Sequence, residues 1–493
     1  MRKLFIFRPI VFVGCSLVLG IIFSAAFSKY DIAYALIPIA AIAIATIVAF
    51  IVNGKKKCLA FGVFAMISFA VGALRTGLIV NDNFIRLAPE EAVTFSGRVE
   101  TVFSCDNGAE RVILKNVKCS DLSVEGANVL CGITGKAEVG EEYTVTATLE
   151  KISFDTVDNF YFPQVVSFKA RKTVSCVKTG SVGDFFSATR IRLKTELANR
   201  LDGETSAFIT ALIIGDSNGI DPELYSGLRS AGVAHIFAVS GLHIGFFAII
   251  VTAVLSLIGI RRLKKDIVVL VLTFLYSGVC GFSVSSIRAV VMCFILGAAY
   301  SLGLKKDMLN AIFLSMIVVL TAFPASLFSY GFLLSYSAIV SIALFNATFK
   351  DVFSFMPDKL RNAFSVALAA FIGTAPILAI MLREVSLITV LTNIVVLPIA
   401  VFLYYYTFAA LLVTLVVPYF GFVFTISDLV VKMISGVTSA IDFDNFILRG
   451  ELTYFNTAFY YTTLVFSSEK INLNRKIKRI VSVMPAASLI LFV

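Results

Sequence analysis

Tryptophan is absent from this 493-residue chain, histidine occurs twice, and charged side chains make up only 15% of it. So little charge excludes an ordinary soluble domain, in which about a quarter of residues are charged. Two histidines, both in one apolar run, exclude the multi-histidine cluster that a hydrolytic metal site needs. What is there is hydrocarbon: 58% of residues are apolar and the mean hydropathy is +0.91. A bilayer crossing takes roughly 20 apolar residues, and runs near that length recur from end to end, so the chain reads as a polytopic α-helical membrane protein of about 10–12 crossings. The first run, Leu4 to Phe27, is too long for the apolar region of a cleaved signal peptide and reads as a retained anchor.

The net charge of +10 is unevenly spread. Residues Asn81 to Thr205 hold 15 Lys/Arg against 18 Asp/Glu, a net of −3, which leaves +13 for the rest. That excess sits in short loops: Arg2/Lys3/Arg8, Lys55–Lys57, Arg261/Arg262/Lys264/Lys265, Lys305/Lys306, Lys350/Lys359/Arg361 and Arg475–Arg479. Basic loops mark the cytoplasmic side, so the basic balance reports membrane orientation ahead of a general nucleic-acid surface. With the N-terminus inside, crossings at Leu4–Phe27, Ile32–Val52 and Leu59–Val80 bring the chain out, and a run from Val233 to Ile260 returns it to the "RRLKK" loop. Runs at Ile267–Phe282, Ser285–Leu302, Leu309–Phe323, Leu327–Phe349 and Phe364–Met381 keep every basic loop on one side. Leu387–Val417 is long enough for two crossings, interrupted by Asn393 and Pro398, and "FTISDLVVKMISGVTSAI" has the period of a helix lying along the interface.

Three regions follow: residues 1–80, a three-helix membrane region; 81–205, an extracytoplasmic insert; and 206–493, a membrane core. The insert is all-β. "VTFSGRVETVF", "RVILKNV", "NVLCGITG", "EYTVTATLE" and "QVVSFKARKTVSC" are five short β-branched stretches, which suit a small barrel of the oligonucleotide-binding (OB) type. Such barrels bind many things, and the slightly acidic balance leaves a purely structural role equally open. Cys105, Cys119, Cys131 and Cys176 fall in the insert, where an oxidising compartment permits disulfides among them in three pairings. No CxxC pair or histidine accompanies them, so no metal is expected.

The stretch "AGVAHIFAVSGLHIGFFAIIV" contains both histidines, His235 and His243, with Ser240 and Gly241 between them. Polar groups at membrane depth either tie helices together or face water. In a continuous helix the two imidazoles lie about 80° apart around the axis, and a break at Ser240-Gly241 would separate them. Arg288 is the costliest group in the predicted spans, roughly 2.5–3.5 kcal/mol if it faces lipid at the bilayer centre. It either snorkels to the interface or lines an anion path. Ser335 and Asn393 fit interhelical hydrogen bonding or the same path. Asp221-Pro222 reads as an N-cap and first-turn proline.

The segment "ITALIIGDSNGIDPELYSGLRSAGVAHIFAVSGLHIG" resembles the signature of the ComEC competence-protein family. Two later blocks resemble it too, in order: Arg288, Asp307, Asn310, Pro324 and Gly331–Ser335; then Pro376, Asn393 and Pro398. The resemblance covers about Ile209 to Pro398 and implies a channel in the cytoplasmic membrane that passes single-stranded DNA inward during natural transformation. It implies His235, Ser240, Gly241, His243, Arg288, Ser335 and Asn393 as channel-lining candidates. It also implies partners: an extracytoplasmic DNA receptor, a separate nuclease, a cytoplasmic ATP-driven helicase or translocase, and membrane lipid. Many family members carry a C-terminal metallo-β-lactamase-like domain. This chain is expected to lack it, and therefore to be a transporter without cofactor, not an enzyme. Two other classes stay open: an intramembrane hydrolase using Ser240 and His243, and a small-solute permease, for which inverted repeats are not evident.

Overall fold

A computed structural model describes residues 9–26, 56–84, 89, 91–104, 110–121, 124–133, 137, 140–151, 160–161, 164–165, 168–181, 185–237, 241–260, 262–304, 307–416, 424–441, 443–450 and 454–467. Ser240 and Cys105 lie outside these residues, as do the expected crossing at Ile32–Val52, Lys305/Lys306 and everything after Ser467.

The chain forms two compact units. One holds Pro9–Ile191 with Phe313–Ser329. In it α1 (Pro9–Ala26) packs along α2 (Lys56–Phe84). Gly20 and Gly72 permit the approach, since a Cβ on either would run into the other helix's backbone at Phe69 or Leu17. Close packing through small residues is how helices associate without a hydrophobic difference between protein and lipid.

The same unit contains a closed five-stranded barrel. Its strands are β1 (Val93–Ser104), β2 (Glu110–Cys119), β3 (Val129–Ile133), β4 (Glu141–Lys151) and β7 (Phe168–Ser181), in the order β1-β2-β3-β7-β4 with β4 closing on β1. A two-residue pair, β5 (Phe160–Tyr161) and β6 (Gln164–Val165), lies between β4 and β7 in sequence. These five strands are the five read from sequence. Alternation puts Phe95, Val99, Val112, Leu114, Val145, Ala147 and Phe168 inside. β1 and β2 are bulged against each other between Ser96 and Arg98; Asn116 there takes φ 44°, and Gly97 leaves room for Val117, whose Cγ1 lies 2.9 Å from where a Cβ would stand. Such bulges increase the local twist that closure needs. Phe168 is fully buried, so Phe168→Ala is expected to destabilise the barrel by about 3–5 kcal/mol, read as accelerated limited proteolysis within the insert of the intact protein.

The other unit holds Arg192–Ile312 and Tyr330–Val493. In chain order its elements begin with the end of α3 (Phe185–Ala198), then α4 (Gly203–Ile214), α5 (Pro222–Ser230), a 3-10 turn at Ala234–Ile236, α6 (Gly241–Leu257), α7 (Arg262–Val279) and α8 (Val284–Ser301). They continue through the start of α9 (Met308–Ala322), α10 (Tyr330–Val352), α11 (Asp358–Leu382), β8 (Glu384–Ser386), α12 (Thr389–Val416), α13 (Thr425–Ala440), β9 (Ile447–Arg449) and α14 (Tyr454–Ser467). Among the described residues, four helices are long and apolar enough to cross a bilayer: Val284–Ser301, Tyr330–Val352, Asp358–Leu382 and Thr389–Leu411; shorter apolar helices accompany them. The protein is a multi-pass membrane protein with a barrel in its N-terminal half.

Two expectations need correction. The run Leu387–Val417 is one helix, α12, with Pro398 inside it, as Pro376 lies inside α11. Spanning helices tolerate an internal proline because neighbouring groups satisfy the backbone atoms it frees. And the run from Val233 to Ile260 is not one helix. Gly232 (φ 75°) ends α5: its N–H donates to Arg229 O (2.8 Å) and the Val233 N–H to Leu228 O (2.9 Å), the paired bonds of a left-handed glycine cap. The next described helix, α6, spans Gly241–Leu257. Asp221 caps α5 as expected, accepting from the N–H of Glu223 and Leu224, with Pro222 following.

Candidate functional site

The core of the second unit gathers α4, α6 and α12 around Phe208, Leu212, Ile213, Ile244, Leu403 and Tyr404. α4 ends inside it. A helix's last carbonyls lack partners of their own, and burying them unpaired costs about 1–3 kcal/mol each. Three different groups meet them here. Gly215, left-handed at φ 79°, donates its N–H to Ala211 O at 2.9 Å; the His243 ring hydrogen-bonds the backbone of Leu212 and also of Ile236; and the Tyr276 hydroxyl donates to Ile213 O at 2.6 Å. Tyr404 of α12 donates to Tyr276 Oη (3.0 Å) and lies edge-on to His243, ring centroids 5.7 Å apart. Tyr276→Phe removes the stronger of two donors to Ile213 O, leaving only the Cys280 thiol at 3.7 Å, and a loss of about 1 kcal/mol is expected, seen as a lower melting midpoint of the purified protein.

Beside this network sits Arg288. The α7–α8 turn that positions it runs through two successive left-handed residues, Gly281 (φ 83°) and Phe282 (φ 49°). Ser283 then caps α8 by accepting from Ser286 N–H at 3.2 Å, and Ser286 meets Ser277 across the helix pair at 2.7 Å. Arg288 follows one turn later and is 5% exposed, so it does not snorkel to solvent. Its Nη1 approaches Met292 Sδ at 3.7 Å and its Cζ stands 5.5 Å from the centroid of the Tyr336 ring. Nε has no hydrogen-bond partner, and among the described residues no carboxylate pairs with the guanidinium. Gly241 fits against it: a Cβ there would lie 3.0 Å from Arg288 Nη2 and 3.5 Å from Ala289 Cβ. A side chain at 241 would therefore have to push the guanidinium aside by a few tenths of an ångström.

The sequence candidates thus divide. Gly241 and Arg288 come together, and His243, two residues on in α6, meets Tyr404 and the end of α4 instead. His235 is exposed in the 3-10 turn, its Nδ1 3.2 Å from Gly232 O, and shares no helix with His243. Ser335 is half-buried next to Tyr336 in α10, and Asn393, in the first turns of α12, has a buried Oδ1 without a partner. Tyr276, Tyr336 and Tyr404 escaped the sequence reading. The available signal was the hydroxyl itself, since a tyrosine in an apolar helix needs a partner for its O–H. In the barrel, Cys119, Cys131 and Cys176 are thiols. Burial, with a smaller contribution from nearby Cys176, pushes the Cys131 thiol up to about 12. Among the described residues no group of three or more His, Cys, Asp or Glu is placed to hold a metal ion.

A family model described as "Competence protein" matches residues 212–468. Over 284 residues the chain is 27% identical to "ComE operon protein 3" of Bacillus subtilis (strain 168), covering 56% of this chain and 35% of that protein. Over 180 residues it is 29% identical to an "Uncharacterized protein" of Aquifex aeolicus (strain VF5), covering 36% of this chain and 41% of the other. The chain thus spans roughly a third to two-fifths of these relatives' length. No solved structure matches it.

Proposed function

Because the chain belongs to the competence protein family, the ComEC family, we propose that it conducts single-stranded DNA across the cytoplasmic membrane during natural transformation. The observation that carries this reading is Arg288, a cation buried in a membrane-spanning helix with no carboxylate among the described residues to neutralise it. A dedicated structural ion pair would bring its own anion, whereas a cation kept for a transient polyanion would not. Gly241, Arg288, Ser335, Asn393, Ser240 and the exposed His235 are the path candidates under this reading. His243 acts as a positioning residue that holds the end of α4.

The N-terminus and the basic loops are cytoplasmic, and residues 81–205 face outward, where disulfides among Cys105, Cys119, Cys131 and Cys176 can form. The chain divides into the N-terminal membrane region (1–80), the outward insert (81–205) and the channel core (206–493). An outer DNA receptor delivers the strand, a separate nuclease removes its complement, and a cytoplasmic ATP-driven motor pulls it in. The role is transport. An intramembrane hydrolase built on His243 is disfavoured because that ring is engaged by the backbone of Leu212 and Ile236. The direct test is a deletion strain given labelled DNA. Internalised label is expected to vanish while surface-bound label persists, and normal internalisation would refute the reading.

A further inference from the structure

Two arginines far apart in sequence converge on one carboxylate at an edge of the channel core, and a third immediately precedes that carboxylate in the chain. β8 pairs antiparallel with β9, setting Glu384 opposite Arg449, and Arg449 Nε lies 3.4 Å from Glu384 Oε1. Arg229, in the last turn of α5, brings Nη2 to 3.9 Å from the other oxygen of the same carboxylate. Arg383 immediately precedes Glu384, is exposed, and adopts φ 56°, a left-handed conformation that costs a non-glycine residue energy. Its carbonyl accepts from Gly450 N–H at 3.1 Å, which fixes the junction. Ser386 Oγ donates to Ser230 O, and Ser230 Oγ to Asp444, tying α5, β8 and the segment before β9 into one platform.

Among the described residues, Glu384 faces two guanidiniums, Arg383 precedes it in the chain, and Asp444 is the other acid of the platform, so three cations stand with two carboxylates. Arg229 and Arg449 remain 49% and 64% exposed, so each keeps donors directed at solvent. The position is also unusual. α11 begins beside Lys359 and Arg361, in one of the basic loops, and ends at Arg383, so the cluster lies at the opposite helix end. Membrane insertion disfavours arginine on the side away from the basic loops, and residues retained there against that bias need another reason.

We propose that Arg229, Arg383 and Arg449 form a phosphodiester-binding site at the outer mouth, where the backbone of the incoming single strand is first gripped by the channel core. This rests on the DNA-conducting reading above. Guanidinium forks suit phosphate, and Glu384 serves to space and orient two of them while leaving their outer N–H groups available. A moderate net charge favours a strand that must be passed on over one that is stored.

The test uses the full-length protein in nanodiscs of zwitterionic lipid and a fluorescein-labelled oligothymidylate titrated across a salt series. Each lost phosphate contact on a single strand lowers the slope of log K against log salt by about 0.7, so R229Q/R449Q is expected to lower it by about 1.4. R383G removes the third charge while suiting the left-handed backbone, and is expected to lower the slope by about 0.7 on its own. R229K/R449K, which keeps charge, should restore most of the slope. If wild-type protein binds the oligonucleotide and the charge-removing variants bind it with unchanged slope, the site is elsewhere and the proposal fails. If they bind it unchanged but lose co-purifying anionic lipid, the cluster is a headgroup site and the proposal also fails. If wild-type protein shows no binding at all, the DNA-conducting reading itself falls, and this one with it.

Discussion

Arg288→Met is expected to leave the protein in the membrane at normal or raised level and to reduce transformation by about three orders of magnitude. Both halves follow from the surroundings. Arg288 is buried in α8 with no carboxylate partner among the described residues, and its neighbours are a methionine sulfur, the face of Tyr336 and the backbone of Gly241. Replacing a buried ionic group by an apolar one of similar length is often neutral or stabilising, so Met should fold at least as well. A phosphate passing within about 4 Å of a fixed cation at an effective dielectric of about 20 gains roughly 4 kcal/mol. Loss of that stabilisation at the highest point of the path would slow passage about a thousandfold. Arg288→Lys should recover only part of it, since lysine keeps the charge but loses the planar group that lies against Tyr336. Immunoblots of the membrane fraction, counts of transformants and internalised label measure the three quantities. Wild-type transformation in Arg288→Met would remove this residue from any conducting role.

Much of the architecture is legible in the sequence because it is written as local period. The barrel strands carry the two-residue alternation of a buried face, the membrane helices are apolar runs, and Asp221-Pro222 signals a helix start by the chemistry of its own side chains. What escaped depends on conformation or on distant partners. Hydropathy counts the residues from Val233 to Ile260 as one run, yet the left-handed glycine at 232 ends one helix and the next described α-helix starts at Gly241. Pro398 reads as an interruption, yet α12 continues through it. The candidate site shows the same division. Arg288 stands out by the cost of its charge alone. The tyrosines that complete the network around α4, and the convergence of Arg229 and Arg449 on Glu384, arise from contacts across 63 to 161 positions of sequence, which no local pattern encodes.

His243→Ala is expected to abolish transformation as completely as the loss of Arg288, but by a different route. His243 lies two residues after Gly241, whose backbone meets the guanidinium, and sequence alone ranks His243 and Arg288 together as intramembrane polar groups. The structure gives His243 a task that Arg288 lacks: its ring meets the backbone of Leu212, at the buried end of α4, and that of Ile236, in the turn before α6. Alanine would leave unpaired the buried carbonyl that the ring's single N–H serves, at about 1–3 kcal/mol, and open a space against Tyr404. Several kcal/mol is a large share of a typical folding stability of about 5–15 kcal/mol, so the Ala variant should be depleted from the membrane fraction and melt at lower temperature. His243→Gln, which keeps a donor in about the same place, should recover level and transformation together, whereas His243→Phe, which keeps only the ring packing, should recover neither. A His243→Ala protein present at normal level and melting normally, yet unable to transform, would instead put the imidazole on the path of the strand.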